Sequence, residues 1–131
     1  MYLKMSKEEL YLDNLEPYKE ISLISVYITH EINMSKLFSD ISGIATVYKP
    51  LLIHCSILNK DYNFVNDKKS DIIATIYPPD DIQFKKSMFE KFDSKKFINP
   101  SNCLKMYITD SSGKRIENKG KYSVIYELQF F

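Results

Sequence analysis

The tightest constraint on this chain is the alternation at residues 122–130. Tyr122, Val124, Tyr126, Leu128 and Phe130 take every second position, with Ser123, Glu127 and Gln129 between them. A period of two puts the large apolar side chains on one face of an extended strand, and only a strand with one buried face needs that pattern. Leu104, Met106 and Ile108 repeat it against Lys105, Tyr107 and Thr109. Residues 21–29, Ile-Ser-Leu-Ile-Ser-Val-Tyr-Ile-Thr, are dense in β-branched residues and free of Gly and Pro, as are 51–58 and 71–77 in the main. Short strands divided by turn signals predict an all-β, jelly-roll-like β-sandwich with at most one short N-terminal helix.

Within these strands the faces are assigned by parity. Ser22, Ile24, Val26 and Ile28 are the expected core face of the first strand. Ile53, Cys55 and Ile57 share one face of the 51–58 strand, and Leu52, His54, Ser56 and Leu58 the other. Pro50 removes a ladder donor and marks an edge, bulge or bend. Asn59 to Lys69 is a polar loop. Asp110-Ser-Ser-Gly113 is a structural turn, with Asp110 at its first position and Gly113 at its fourth; Asn118-Lys-Gly120 makes a second turn. Removing the final strand is expected to unfold the chain and expose the edge of 104–109.

Three segments leave a choice. Ser6-Lys-Glu-Glu9 matches a capping box, with Pro17 stopping a helix near Leu15, so residues 1–20 are a short helix or an extended arm. Residues 21–131 then form a single β-sandwich domain. Residues 30–43 suit an irregular helix or a strand and loop, closed by Gly43. In 82–99, Ile82, Phe84, Met88, Phe89 and Phe92 suit a helical stripe or strands with a turn at Asp93-Ser94, and the strand-rich surroundings favour strands.

Composition narrows the function classes. Lysine and arginine total 18 against 17 acidic residues, a net charge of +1. Seventeen of the basic residues are Lys and only Arg115 is Arg. A solvated, mixed-sign surface follows, rather than the basic stripe of a specific nucleic-acid binder. Lys, Phe and Tyr interleave through 84–97, a pattern that fits single-strand stacking but fits a wet strand face over an aromatic core better. The abundance of Ile, Lys, Asn and Tyr points to an A/T-rich coding source such as a virus, a mobile element or an A/T-rich eukaryote. No apolar run is long enough to span a bilayer, and the first residues lack a signal-peptide core. The expected location is a virion or the cell interior.

No catalytic constellation emerges. His30 and His54, with Cys55 and Cys103, lack zinc-ligand spacing. His54 and Cys55 are neighbours on a strand and point to opposite faces, so they make no nucleophilic pair. Cys55 and Cys103 are expected as reduced, small buried fillers, with a disulfide between them the open alternative, since spacing fixes no distance between their strands. Three glycines exclude a Gly-rich phosphate loop. Glu8/Glu9 and Asp80/Asp81 are paired carboxylates in polar sequence, and Asp67, Asp71, Asp80 and Asp81 lack calcium-loop spacing. No catalytic, metal or cofactor residue is assigned, and no small-molecule substrate or membrane partner is expected.

The order of motifs in residues 46–131 carries a resemblance. Leu51-Leu-Ile-His-Cys-Ser-Ile-Leu58 is followed by Ser70-Asp-Ile-Ile-Ala-Thr-Ile76 and by Phe97-Ile-Asn-Pro100. Leu104-Lys-Met-Tyr-Ile-Thr-Asp-Ser-Ser-Gly-Lys-Arg-Ile116 and the amphipathic final strand close the series. This order resembles the C-terminal part of the penton-like minor capsid proteins of Polinton (Maverick) elements and related adenovirus-like viruses. The resemblance implies a single jelly-roll capsomer, and hence a non-enzymatic structural protein acting by self-association or by binding another structural protein. A non-catalytic interaction module that binds one protein partner is the alternative.

Overall fold

The computed structural model describes residues 1–30, 50–77, 87–115 and 122–131. The strands are β1 (Tyr2–Met5), β2 (Glu9–Tyr11), β3 (Glu20–His30), β4 (Leu51–Cys55), β5 (Phe64–Val65), β6 (Lys68–Lys69), β7 (Ile72–Ile76), β8 (Ser87–Lys91), β9 (Lys95–Phe97), β10 (Cys103–Thr109) and β11 (Tyr122–Phe130). One sheet runs β1-β11-β3-β8, with β9 also paired to β3, and the second runs β2-β10-β4-β7. All of these pairings are antiparallel. Apart from β9 and the small β5–β6 hairpin, the strands in chain order run first-eighth-third-sixth in one sheet and second-seventh-fourth-fifth in the other. That interleaving of two sheets is the double Greek-key order of a jelly roll.

The core is the space between the two sheets. From the first come Met5, Ile21, Leu23, Val26, Ile28, Tyr126, Leu128 and Phe130; from the second come Leu51, Ile53, Cys55, Ile76, Leu104, Met106 and Ile108. Tyr126, Leu128 and Phe130 lie on the face that the alternation assigns, with Val124 packed against the cluster. Strands also form at 87–91 and 95–97, where the sequence allowed a helical stripe.

The structure decides one open choice, in favour of extended chain at the N-terminus, and corrects two expectations about the strands. The capping box does not start a helix: residues after Ser6 turn into β2, with Leu10 opposite Leu104 and the Met106 amide donating to Glu8 O at 2.8 Å. A helix of a turn or two is costly to nucleate, and a ready-made edge on β10 offers the same backbone groups partners at once. The inward face of β3 is also not of one parity. Leu128 faces Leu23 but Glu127 faces Ser25, so Ile24 is an extra residue in the ladder. This β-bulge turns the inward set from Ile21 and Leu23 to Val26 and Ile28, as a one-residue slip must. Finally, β11 sits between β1 and β3, while 104–109 belongs to the other sheet. Loss of the last strand therefore uncovers β1 and β3.

The Asn59–Lys69 loop has internal order. Asn59 caps a 3-10 turn at Lys60–Tyr62, and Asn66 and Asp67 take positive φ angles of 51° and 62° in the β5–β6 hairpin. Two successive left-handed residues give the turn whose twist matches paired strands. Expectations for 31–43, Pro78 to Phe84 and Asn118 to Gly120, and for the His30 side chain, lie outside the described residues.

Candidate functional site

The outer face of the second sheet carries a polar cluster that no single segment of sequence displays. Its origin is a bulge. Ile53 faces Ala74 but His54 faces Ile72, so Ile73 is an extra residue in β7. The bulge moves Asp71 one position closer to His54 along the strand. His54 Nδ1 then lies 2.7 Å from Asp71 Oδ1, and His54 Nε2 lies 2.8 Å from Thr109 Oγ1. The Tyr107 hydroxyl donates to Asp71 Oδ2 at 3.2 Å. Tyr107 is the direct cross-strand partner of His54, and the rings stack at 4.6 Å with planes 4° apart. Arg115 covers the other side of Tyr107 at 4.5 Å and its Nε donates to Glu8 at 3.0 Å. Residues from β4 and β10, with Asp71 just before β7 and the flanking Glu8 and Arg115, thus form one continuous stack.

The hydrogen bond from His54 holds the Asp71 carboxyl below the usual carboxylate range, against the effect of its partial burial. An ionised Asp71 is an acceptor facing Nδ1, and the Thr109 hydroxyl, which can donate or accept, faces Nε2. Burial, and then the charge of Asp71, pushes the Tyr107 hydroxyl up. Hydroxyl, imidazole and carboxylate are in the order of a nucleophile, a base and its orienting group. Thr109, however, is only 4% exposed, and its hydroxyl is held against His54. The chemistry this arrangement supports is a clamp: three strands tied through one imidazole, with each polar partner of His54 satisfied.

Cys55 is buried, and burial pushes its thiol up to about 12. Cys103 is not the buried filler expected: it is only partly buried and donates to Glu9 at 3.1 Å, which raises the thiol. Both are free thiols. At the β10 turn, Gly113 N donates to Asp110 O at 3.1 Å, and Asp110 Oδ1 accepts from the amides of Ser112 and Lys114, each at 2.9 Å. Burial opposes the Asp110 charge, but these bonds outweigh it and the carboxyl lies low. Gly113 has φ +90°, a left-handed conformation that suits glycine. No group of three or more potential metal-ligating side chains occurs among the described residues. No described helix is long and apolar enough to cross a membrane.

The first sheet has a different outer face. Tyr27 on β3 pairs with Ile125 of β11 on one side and Phe89 of β8 on the other. Tyr27 and Phe89 meet edge to face at 6.2 Å and are 37% and 52% exposed. The sequence pattern identified His54 and Asp71 only as separate strand residues, and it gave no sign of the Ile73 bulge that joins them. Tyr27 fell on the predicted outward parity, and it remains outward because it lies after the Ile24 bulge.

An eight-strand, two-sheet jelly roll is thus the class that the chain order defines. Among solved structures, the chain is similar to the mavirus penton protein, at 15% sequence identity and a TM-score of 0.45. The match covers 66% of this chain and 34% of that one, so this chain spans about a third of the penton chain's length. No protein-family model matches. No curated protein matches.

Proposed function

We propose that this protein is a capsid-like structural subunit that acts by self-association, with the outer face of the β1-β11-β3-β8 sheet as the contact surface. The observation that carries the reading is the cross-strand row of Ile125, Tyr27 and Phe89, whose two rings are open to solvent. Exposed aromatic side chains grouped across neighbouring strands are the usual mark of a protein contact. The capsid class comes from the motif order set out above, since a jelly roll by itself is compatible with many functions. The proposed location is a virion.

Light scattering over a concentration series, with Tyr27→Ser/Phe89→Ser beside the wild type, tests this. The wild type is expected to form a closed oligomer of defined mass, and the variant to stay monomeric with an unchanged melting temperature. A wild type that is monomeric throughout and associates only with a second protein would replace self-assembly with the adaptor alternative.

A further inference from the structure

The outermost strand of a sheet presents a row of main-chain groups, and most such edges here are interrupted. β2 has three residues, β7 carries the Ile73 bulge, and the far side of β3 is divided between β8 and β9. β1 is paired in regular register along its length. Phe130 N donates to Met1 O at 2.8 Å and the Met1 amino group donates to Phe130 O at 3.1 Å, so these two residues form a hydrogen-bonded pair. Antiparallel pairs alternate, which turns the main-chain groups of Leu3 and Met5 towards β11 and those of Tyr2 and Lys4 outward. No described residue bonds these outward groups. A lysine on an edge ordinarily guards it. Here Lys4 Nζ lies 3.7 Å from Glu127, and the Tyr2 hydroxyl donates to the same carboxylate. Both side chains are drawn towards β11, and the Lys4 charge is matched within the subunit.

We propose that β1 pairs antiparallel with β1 of a second copy of this chain, about a two-fold axis through Leu3, so that the two sheets run on as one. The residue pattern of the edge selects this occupant. With the axis at Leu3, Tyr2 of each copy stands opposite Lys4 of the other. Each such pair can exchange both of its main-chain hydrogen bonds, and no like charges face each other. An axis through Lys4 would oppose two ammonium groups. Leu3 is half-buried against the core, and beside the other copy's Leu3 it carries the apolar inner row across the axis. A two-fold contact uses the same patch on both copies and needs no further partner. An unrelated extended strand would gain the main-chain bonds but neither the Leu3 contact nor the matched charges. The paired segment is short, so the contact is weak beside a standard protein interface and forms at high concentration. It lies at the opposite edge of the sheet from Phe89, and this inference does not rest on the outer-face reading.

Disulfide trapping reads a weak contact and tests it, in a Cys103→Ser background that leaves only the buried Cys55. On the axis, Leu3 faces its counterpart in a non-hydrogen-bonded pair with Cα atoms about 4.5 Å apart, within disulfide reach. Tyr2 and its counterpart are offset by two residues along the strands, more than about 7 Å apart and out of reach. At high protein concentration and mild oxidation, Leu3→Cys is expected to form a covalent dimer about tenfold faster than Tyr2→Cys, although Tyr2 is 57% exposed. Adding Lys4→Pro removes an outward N–H at a place where an edge strand tolerates proline, and it should bring the Leu3→Cys rate down to that of Tyr2→Cys. Tyr27→Ser/Phe89→Ser should leave trapping unchanged, and circular dichroism should show all variants folded. The proposal fails if no dimer is trapped, if Tyr2→Cys is trapped as fast, if Lys4→Pro has no effect, or if Tyr27→Ser/Phe89→Ser abolishes trapping. It also fails if a labelled valine–threonine peptide carrying one cysteine is trapped on the Leu3→Cys variant as fast as a second copy is.

Discussion

The two sheets meet the same core and differ on their outer faces. In the β2-β10-β4-β7 sheet, His54 ties Asp71 of the β7 edge to Thr109 of β10 through side chains, and Tyr107 stacks on it. In the β1-β11-β3-β8 sheet the outer row of Ile125, Tyr27 and Phe89 is apolar and partly open, and the polar contacts lie at the β1 side, where Tyr2 and Lys4 reach Glu127. Burial against the common core suffices to hold strands in both sheets, so an outer face is free to be used for bracing or for contact. The polar stack braces one sheet from outside, while the other carries an open aromatic row.

Removing β11 should break the comparison altogether. Tyr126, Leu128 and Phe130 together bury about 5–9 kcal/mol of side-chain transfer free energy, close to the roughly 5–15 kcal/mol net stability of a small domain. A chain ending at Lys121 is expected to be insoluble, or to lack a cooperative melting transition. Solubility with an unchanged melting temperature would make β11 peripheral. A smaller cut asks whether both inner faces matter equally. Leu128→Ala and Leu104→Ala, one in each sheet and both fully buried, should each cost about 2–5 kcal/mol in urea denaturation. Tyr27→Ser on the open outer face should cost well under either.

The outer stack is tested next. His54→Ala leaves Asp71 Oδ1 and Thr109 Oγ1 without their partner and should cost about 1–3 kcal/mol. The pH dependence follows from the sign of the Asp71 shift. Its folded-state carboxyl is held low, so the unfolded chain binds the proton first as pH falls. The stabilisation is full above the ordinary carboxylate range and is lost as pH drops through the folded value. Asp71→Asn should therefore flatten the acid limb of the stability curve below about pH 4, as read from urea midpoints at several pH values, while the low carboxyl of Asp110 preserves part of that limb. A small effect is also expected at Gly113→Ala. Nothing lies within 4 Å of the added Cβ, so only the left-handed backbone is strained, at about 1–2 kcal/mol in melting experiments.

Period two in residues 104–109 and 122–130 made the strands and their buried faces legible, because alternation is a local property of an extended chain. Local chemistry likewise marked Asp110 and Gly113 as turn residues. The capping box at Ser6 was just as local, and it lost to ladder bonds on β10, which lies about a hundred residues away in the chain. Residue pattern alone therefore establishes an all-β chain and its strong strands, and it offers no obvious catalytic motif. The interleaved strand order, the parity switch at Ile24 and the meeting of His54, Asp71, Tyr107 and Thr109 arise only once the strands pair. The physical reason is that a bulge is a relation between two paired strands. One extra residue reverses faces or draws a carboxylate towards an imidazole, and neither strand's own pattern records which residue its partner will leave unpaired.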